Sequence, residues 1–147
     1  MKVYFMRHGE ASWNASSDAD RPLTDNGIVR LQATLRANVE RMQDVEHILH
    51  SPYLRAVQTA RLAADVLAVK SLSEDARWTP DCDPHQALDM LESFSDRTIL
   101  IVTHNPLVSQ LVGGFCGTGV EPFDTGTLAC VEADWPAMGL GTLRWKS

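Results

Sequence analysis

Hydrophobic residues occur along this chain in two distinct spacings. Val3, Tyr4, Phe5 and Met6 are consecutive, as are Ile99, Leu100, Ile101 and Val102 within "TILIVTH". Short unbroken runs bounded by polar residues predict strands covered on both faces. A shorter run, "HILHS" at His47 to Ser51, predicts another strand. Between these runs the spacing changes. From Asp25 to about Met42, Ile28, Leu31, Leu35, Val39 and Met42 recur every three or four positions, with Arg30, Arg36 and Glu40 among the polar ones. That periodicity predicts an amphipathic helix, and Thr24 is placed to cap it. Pro52 marks a second helix start, and Val57, Ala60, Leu62, Ala64, Val66 and Leu67 carry this helix to about Val69 with Arg55 in its first turn. After His104, "NPLVSQLVGG" predicts a third, with Asn105 as cap, Pro106 at the first helical position and glycines at its end. Further strands are expected at Thr127 to Ala133 and Gly141 to Trp145. Ser71 to Asp83 is ambiguous, with a short strand expected near Trp78. No linker, repeat or low-complexity block interrupts the pattern, so residues 1–147 are expected to form a single domain. Alternating strands and helices predict an α/β fold, a three-layer α/β/α sandwich with a mostly parallel mixed sheet.

Composition narrows the function classes only modestly. The chain has 147 residues, of which 44% are hydrophobic and 22% charged, which is ordinary for a globular protein with a substantial core. A formal net charge of -6 argues against a general nucleic-acid binder. The opening apolar run stops at Arg7, too short for a membrane span or a signal-peptide core, so no membrane association is expected and a cytoplasmic location is the default. Cys82, Cys116 and Cys130 are an odd number at wide spacing. They suit reduced thiols used in packing better than disulfides or a zinc site.

The candidate chemistry lies at strand ends. His8 and His104 each follow a buried strand, Arg7 ends the first, and Arg55 begins a helix. In open α/β sheets ligands bind at the carboxyl ends of the strands. If those ends are neighbours, two imidazoles and two guanidiniums converge on a small volume, and burying them without a counter-charge is costly. A phosphoryl group supplies that charge. Arginine forks match its oxygens, amides at the helix start near Asn105 or Pro106 add positive potential, and Gly9 removes a side chain where backbone approaches the ligand.

Taken together, these residues resemble the histidine phosphatase superfamily, the phosphoglycerate mutase-like proteins. The signature "RHG" stands at Arg7, His8 and Gly9. "RPLTDNG" at Arg21 to Gly27, "SPYLRAVQTA" at Ser51 to Ala60 and "VTHNPLV" at Val102 to Val108 follow in the family's order. Their spacings are similar to those of the SixA-type phosphohistidine phosphatases, and the resemblance spans essentially the whole chain. It implies that His8 is a nucleophile forming a phosphohistidine intermediate. Arg7, Arg55 and His104 would bind the three equatorial oxygens, with neither metal nor cofactor required. The implied partner is a phosphohistidine-bearing protein, such as the phosphotransfer domain of a histidine-kinase relay. The oligomeric state is left open.

One departure from the larger family members concerns the proton donor. Those carry a glutamate acid in a recognisable pattern after the second helix, where this chain has "EDARWTPDCDPHQ". Glu74, Asp81, Asp83, Asp18 and Asp20 are all candidates, unranked. A poor acid matters less for a P–N bond, because protonated imidazole leaves readily, so the departure favours phosphohistidine over phosphoester. The rim is also short, consisting of Glu10 to Asp20 and Ser71 to Asp96. An open pocket suits a side chain on another protein's surface. Trp13 and Trp78 either supply a docking face or pack these loops. Arg21 either touches substrate or forms a salt bridge with Asp20 or Asp18, while Glu10 orders the loop. His47 and His50, three apart on a strand, face opposite ways and are not expected to bind metal together. Two alternatives remain beside the phosphohistidine phosphatase: a small-molecule phosphomonoesterase of the same superfamily, and a catalytically silent phospho-ligand binding module.

Overall fold

In the computed structural model, which describes residues 1–147, six strands form one mixed sheet. The strands are β1 (Lys2–Arg7), β2 (His47–His50), β3 (Leu72–Glu74), β4 (Ile99–Thr103), β5 (Leu128–Glu132) and β6 (Thr142–Lys146). They lie in the order β3-β2-β4-β1-β5-β6. The three pairings from β3 to β1 are parallel, and the two that add β5 and β6 are antiparallel. The helices are α1 (Asp25–Asn38), α2 (Leu54–Leu67), α3 (Pro84–Met90) and α4 (Leu107–Phe115).

Side-chain alternation along the strands divides the core in two. Val3, Phe5, Ile99, Ile101, Ala129 and Val131 pack against α3 and α4 through Leu88, Leu107, Leu111 and Phe115. Tyr4, Met6, Ile48, Leu100, Val102 and Leu128 pack against α1 and α2 through Leu31, Leu35, Ala56, Ala60 and Ala63. Helices on both faces explain why β1 and β4 are apolar without a break. The result is the three-layer sandwich expected from the pattern.

Register positions the site. β1 and β4 are neighbouring parallel strands, with Met6 opposite Val102 and Arg7 opposite Thr103. The next residues of each strand are His8 and His104, so two distant parts of the chain deliver imidazoles side by side.

Local signals were overridden at five places. The helix from Thr24, whose hydroxyl accepts from Gly27 N–H, tightens to a 3₁₀ turn over Val39–Met42. Pro52 lies outside α2, whose N-cap is Tyr53. Asn105 does not cap α4: its side chain donates to the Phe123 carbonyl and accepts from Ser109 Oγ, leaving Pro106 at the N-cap. Gly113 and Gly114 lie inside α4 rather than ending it, and a Cβ on Gly113 would collide with the backbone of Gly119 and Val120. Close approach of that returning loop, and not termination, requires the glycine. The short strand near Trp78 lies earlier, at β3. Trp78 itself is fully buried in a 3₁₀ turn, Ala76–Trp78, capped by the Asp75 side chain. No helix is long and apolar enough to cross a membrane.

Candidate active site

His8 leaves β1 almost fully buried, and its backbone N–H donates to Thr103 O of β4 at 3.0 Å. Its Nδ1 lies 2.7 Å from Gly9 O. A carbonyl only accepts, so Nδ1 carries the hydrogen and Nε2 presents a lone pair. Arg55 Nε donates to that same Nε2 at 3.3 Å, in agreement with this tautomer. Burial lowers the His8 pKa to about 4, with Arg55, Arg7 and Arg21 pushing the same way against the Gly9 carbonyl. His8 is thus neutral at pH 7, with a lone pair available at Nε2.

Arg55 is buried in the first turn of α2. Its Nη1 donates to the Asp18 carbonyl at 2.6 Å and its Nη2 to Asp18 Oδ2 at 3.3 Å. Thr59, one helical turn on, donates its hydroxyl to Arg55 O at 2.7 Å and accepts from Gly9 N–H at 3.2 Å. One buried hydroxyl therefore ties the Arg55 turn to the backbone that orients His8. Arg7 donates through Nη1 to Phe123 O at 3.0 Å, and its Nε is buried without a partner in the chain.

His104 follows β4 with its ring centroid 4.9 Å from that of His8 and 5.0 Å from that of Tyr53. Its Nε2 lies 2.7 Å from Ser51 Oγ, and its Nδ1 is buried without a partner. Burial lowers its pKa to about 2, reinforced by His8, Arg55 and Arg7. Arg7, His8, Arg55 and His104, singled out from the sequence, thus converge. Two of the four, Arg7 and His104, hold a buried nitrogen unused within the chain.

Arg21 is bonded chiefly within the loop that follows β1. Its Nε donates to Ser12 O at 3.0 Å, its Nη2 to Ala11 O at 3.3 Å and its Nη1 to Asp18 Oδ1 at 3.3 Å. It stacks over Trp13 at 3.5 Å from the ring centroid. Arg21 thus forms the salt bridge with Asp18 and not Asp20, and its charge still reaches His8, whose pKa it helps to lower. Trp78 packs the core while Trp13 is 83% exposed, so the two tryptophans separate. Glu10 accepts from Thr24 Oγ1 at 2.7 Å and orders its loop as expected.

Among the acid candidates, Asp83 caps α3, Asp20 accepts from Ser16 and Ser17, and Glu74 and Asp81 are exposed. Only Asp18 bonds a pocket residue. The slight burial of its carboxyl acts to raise its pKa, but Arg55 and Arg21 outweigh this and hold it below the usual carboxylate value. His47 is held between Ser71 and Ser73 hydroxyls, and no group of three His, Cys, Asp or Glu side chains is arranged to hold a metal ion. Ser51, Thr59 and Asn105 were not recognised as supports of the site. The first two lie within "SPYLRAVQTA", but their partners emerge only once β2, β4 and α2 are packed.

Comparison with known proteins decides the family. A model of the histidine phosphatase superfamily (branch 1) matches residues 3–79. The chain belongs to the histidine phosphatase superfamily. It is 36% identical to the phosphohistidine phosphatase SixA of Escherichia coli, over 99% of this chain and 92% of that protein. A SixA homolog of Haemophilus influenzae is 33% identical over 80% of this chain and 78% of its own length. Among solved structures, the protein histidine phosphatase SixA complexed with tungstate superposes with a TM-score of 0.91 at 32% identity, covering 99% of this chain and 96% of that one. The α/β sandwich is therefore that of this histidine phosphatase family.

Proposed function

We propose that this chain is a phosphohistidine phosphatase that takes the phosphoryl group from phosphohistidine on a phosphotransfer protein and passes it to water through phospho-His8. The observation that carries this reading is the neutral Nε2 lone pair of His8, presented among cationic and neutral donors that lack anionic partners at Arg7 Nε and His104 Nδ1. Nε2 attacks phosphorus in line, its bond to phosphorus forming as the bond to the substrate imidazole breaks. Arg7, Arg55 and His104 hold the three equatorial oxygens as charge redistributes. Water then attacks phospho-His8, the Nε2–P bond breaks, and orthophosphate leaves. Tungstate is a tetrahedral oxyanion like phosphate, so the tungstate complex of the similar SixA supports an oxyanion as ligand.

The leaving group follows from the carboxylates. Asp18, the one carboxylate bonded to a pocket residue, is held ionised by Arg55 and Arg21 and is poorly suited to donate a proton at neutral pH. An alkoxide leaving group needs such a donor, whereas imidazole accepts its proton from solvent at neutral pH. That difference favours phosphohistidine over a phosphoester. The rim supports a protein-borne substrate, since Trp13 stands exposed beside the loop that braces Arg55. All three cysteines are free, as suits a cytoplasmic protein.

The test is release of orthophosphate from a ³²P-phosphohistidine protein beside hydrolysis of p-nitrophenyl phosphate, with chelator present. Rapid release from the protein and slow ester hydrolysis are expected, both abolished in His8→Ala. Fast ester turnover with an inert phosphohistidine protein would assign a small-molecule phosphomonoesterase instead.

A further inference from the structure

Ser51 follows β2 and is fully buried. Its Oγ makes two hydrogen bonds, accepting from Tyr53 N–H at 3.2 Å and meeting His104 Nε2 at 2.7 Å. A hydroxyl has one hydrogen and two lone pairs. Tyr53 engages one lone pair, and the hydrogen, shut away from water, has His104 Nε2 as its acceptor. Leaving it unbonded would strand a buried donor. Nε2 is therefore the unprotonated nitrogen, and the ring hydrogen of His104 is on Nδ1.

With a phosphoryl group in the pocket, the second ring nitrogen gives the same answer. Nδ1 is buried and has no partner in the chain, in a pocket that also holds Arg7 and Arg55. A lone pair there would repel the oxygen of a bound phosphoryl group, whereas an N–H attracts it. Burial keeps the ring neutral, so it has only one hydrogen to place. His8 is the reverse case, protonated at Nδ1 by its bond to Gly9 O and open at Nε2. The two imidazoles, 4.9 Å apart, thus hold opposite tautomers. One offers a lone pair to phosphorus and the other a hydrogen to oxygen.

We propose that Ser51 is a positioning residue: its hydroxyl sets the Nδ1–H tautomer of His104 and so makes that ring a donor to the transferred phosphoryl group. The inference rests on the phosphoryl-transfer reading of the pocket, but its test does not need phosphohistidine turnover. Ring ¹⁵N–¹H correlation spectra of the wild type, assigned against His8→Ala and His104→Ala, report which nitrogen of each ring is protonated. His104 is expected to show a protonated Nδ1 and a bare Nε2, unchanged between about pH 5 and 8, with His8 also protonated at Nδ1. In Ser51→Ala the His104 signals shift toward the Nε2–H form. Orthovanadate affinity drops about tenfold, the size expected for one buried hydrogen bond.

A wild-type His104 protonated at Nε2, or a Ser51→Ala variant that keeps both the tautomer and the vanadate affinity, would overturn the proposal. If Ser51→Ala fails to fold, the wild-type spectrum still decides. A correct tautomer in a protein inert toward phosphohistidine would refute the substrate reading and leave the role of Ser51 standing.

Discussion

At the floor of the site, His8, Ser51, Arg55, Thr59 and His104 are buried and bonded across β1, β2, β4 and α2, whereas at the rim Trp13, Asp18 and Asp20 are exposed. The floor inherits its geometry from strand register and buried hydrogen bonds, which leave little freedom. The rim rests on surface pairs such as Arg21 with Asp18, and exposed pairs of this kind contribute about 0–1 kcal/mol. Under the proposed function, chemistry belongs to the floor and adaptation to a partner to the rim. Asp18 connects the two, because its carbonyl and carboxylate brace Arg55.

The largest expected effect separates chemistry from binding within the floor. His8→Ala should lower turnover at least about 10³-fold while orthovanadate affinity stays within about tenfold, as steady-state kinetics and calorimetric titration will report. Near-normal turnover would remove His8 from the mechanism.

Acid exposes the floor through its histidines. Unfolded histidine protonates below about pH 6.5, while folded His8 stays neutral down to about 4 and His104 to about 2. Across that interval the unfolded chain binds the extra protons, so stability is complete above about pH 6.5 and declines as pH falls. The slope approaches about 1.4 kcal/mol per pH unit for each such group. His47, its pKa lowered by burial and by Arg97, adds in the same direction. Thermal denaturation should show Tm declining from about pH 6.5 to 4.5, less steeply in His8→Asn. Activity should behave differently, because a nucleophile with a pKa near 4 keeps the acid limb of kcat/KM well below 6.5.

Backbone approach between the rim loop and α1 gives a smaller effect. A Cβ on Gly27 would stand 2.5 Å from Glu10 O, a backbone atom unable to retreat like a flexible side chain. Gly27→Ala should cost about 1–3 kcal/mol in urea denaturation, the range for steric overpacking. The smallest effect on chemistry belongs to the rim. Trp13→Ala should leave p-nitrophenyl phosphate turnover within about twofold and raise KM for a phosphohistidine protein several-fold, as the loss of one exposed aromatic contact would. Equal effects on both substrates would tie Trp13 to the floor.

The same division governs what the sequence reveals. β1 and β4 were legible because strands buried on both faces must be apolar throughout, and His8 and His104 were legible as residues just beyond them. Which strands lie side by side is not written locally, so the value of Ser51 and Thr59 as hydroxyl bridges could not be read before β2, α2 and β4 were packed together. Where tertiary contacts compete with local signals, the local reading failed. Asn105 has a capping side chain, but the Phe123 carbonyl and Ser109 hydroxyl engage it. Gly113 and Gly114 looked like a helix end, yet Gly113 admits a neighbouring loop. Trp78 looked like part of a strand because it is large and apolar, but Asp75 caps a short turn there that turns the ring into the core. Arg21 was ambiguous because a guanidinium near an anion site and one bracing a loop have the same sequence appearance.

If His8 is the nucleophile, the phosphoryl group rests on it between the two transfer steps. Rapid acid-free quench of a single turnover with ³²P-phosphohistidine protein, followed by digestion at high pH and peptide mapping, tests this directly. Transient label, alkali-stable and acid-labile, is expected on the peptide containing His8, absent from His8→Ala and decaying as orthophosphate appears. Release of orthophosphate at the full rate with no labelled peptide at any time would contradict this expectation.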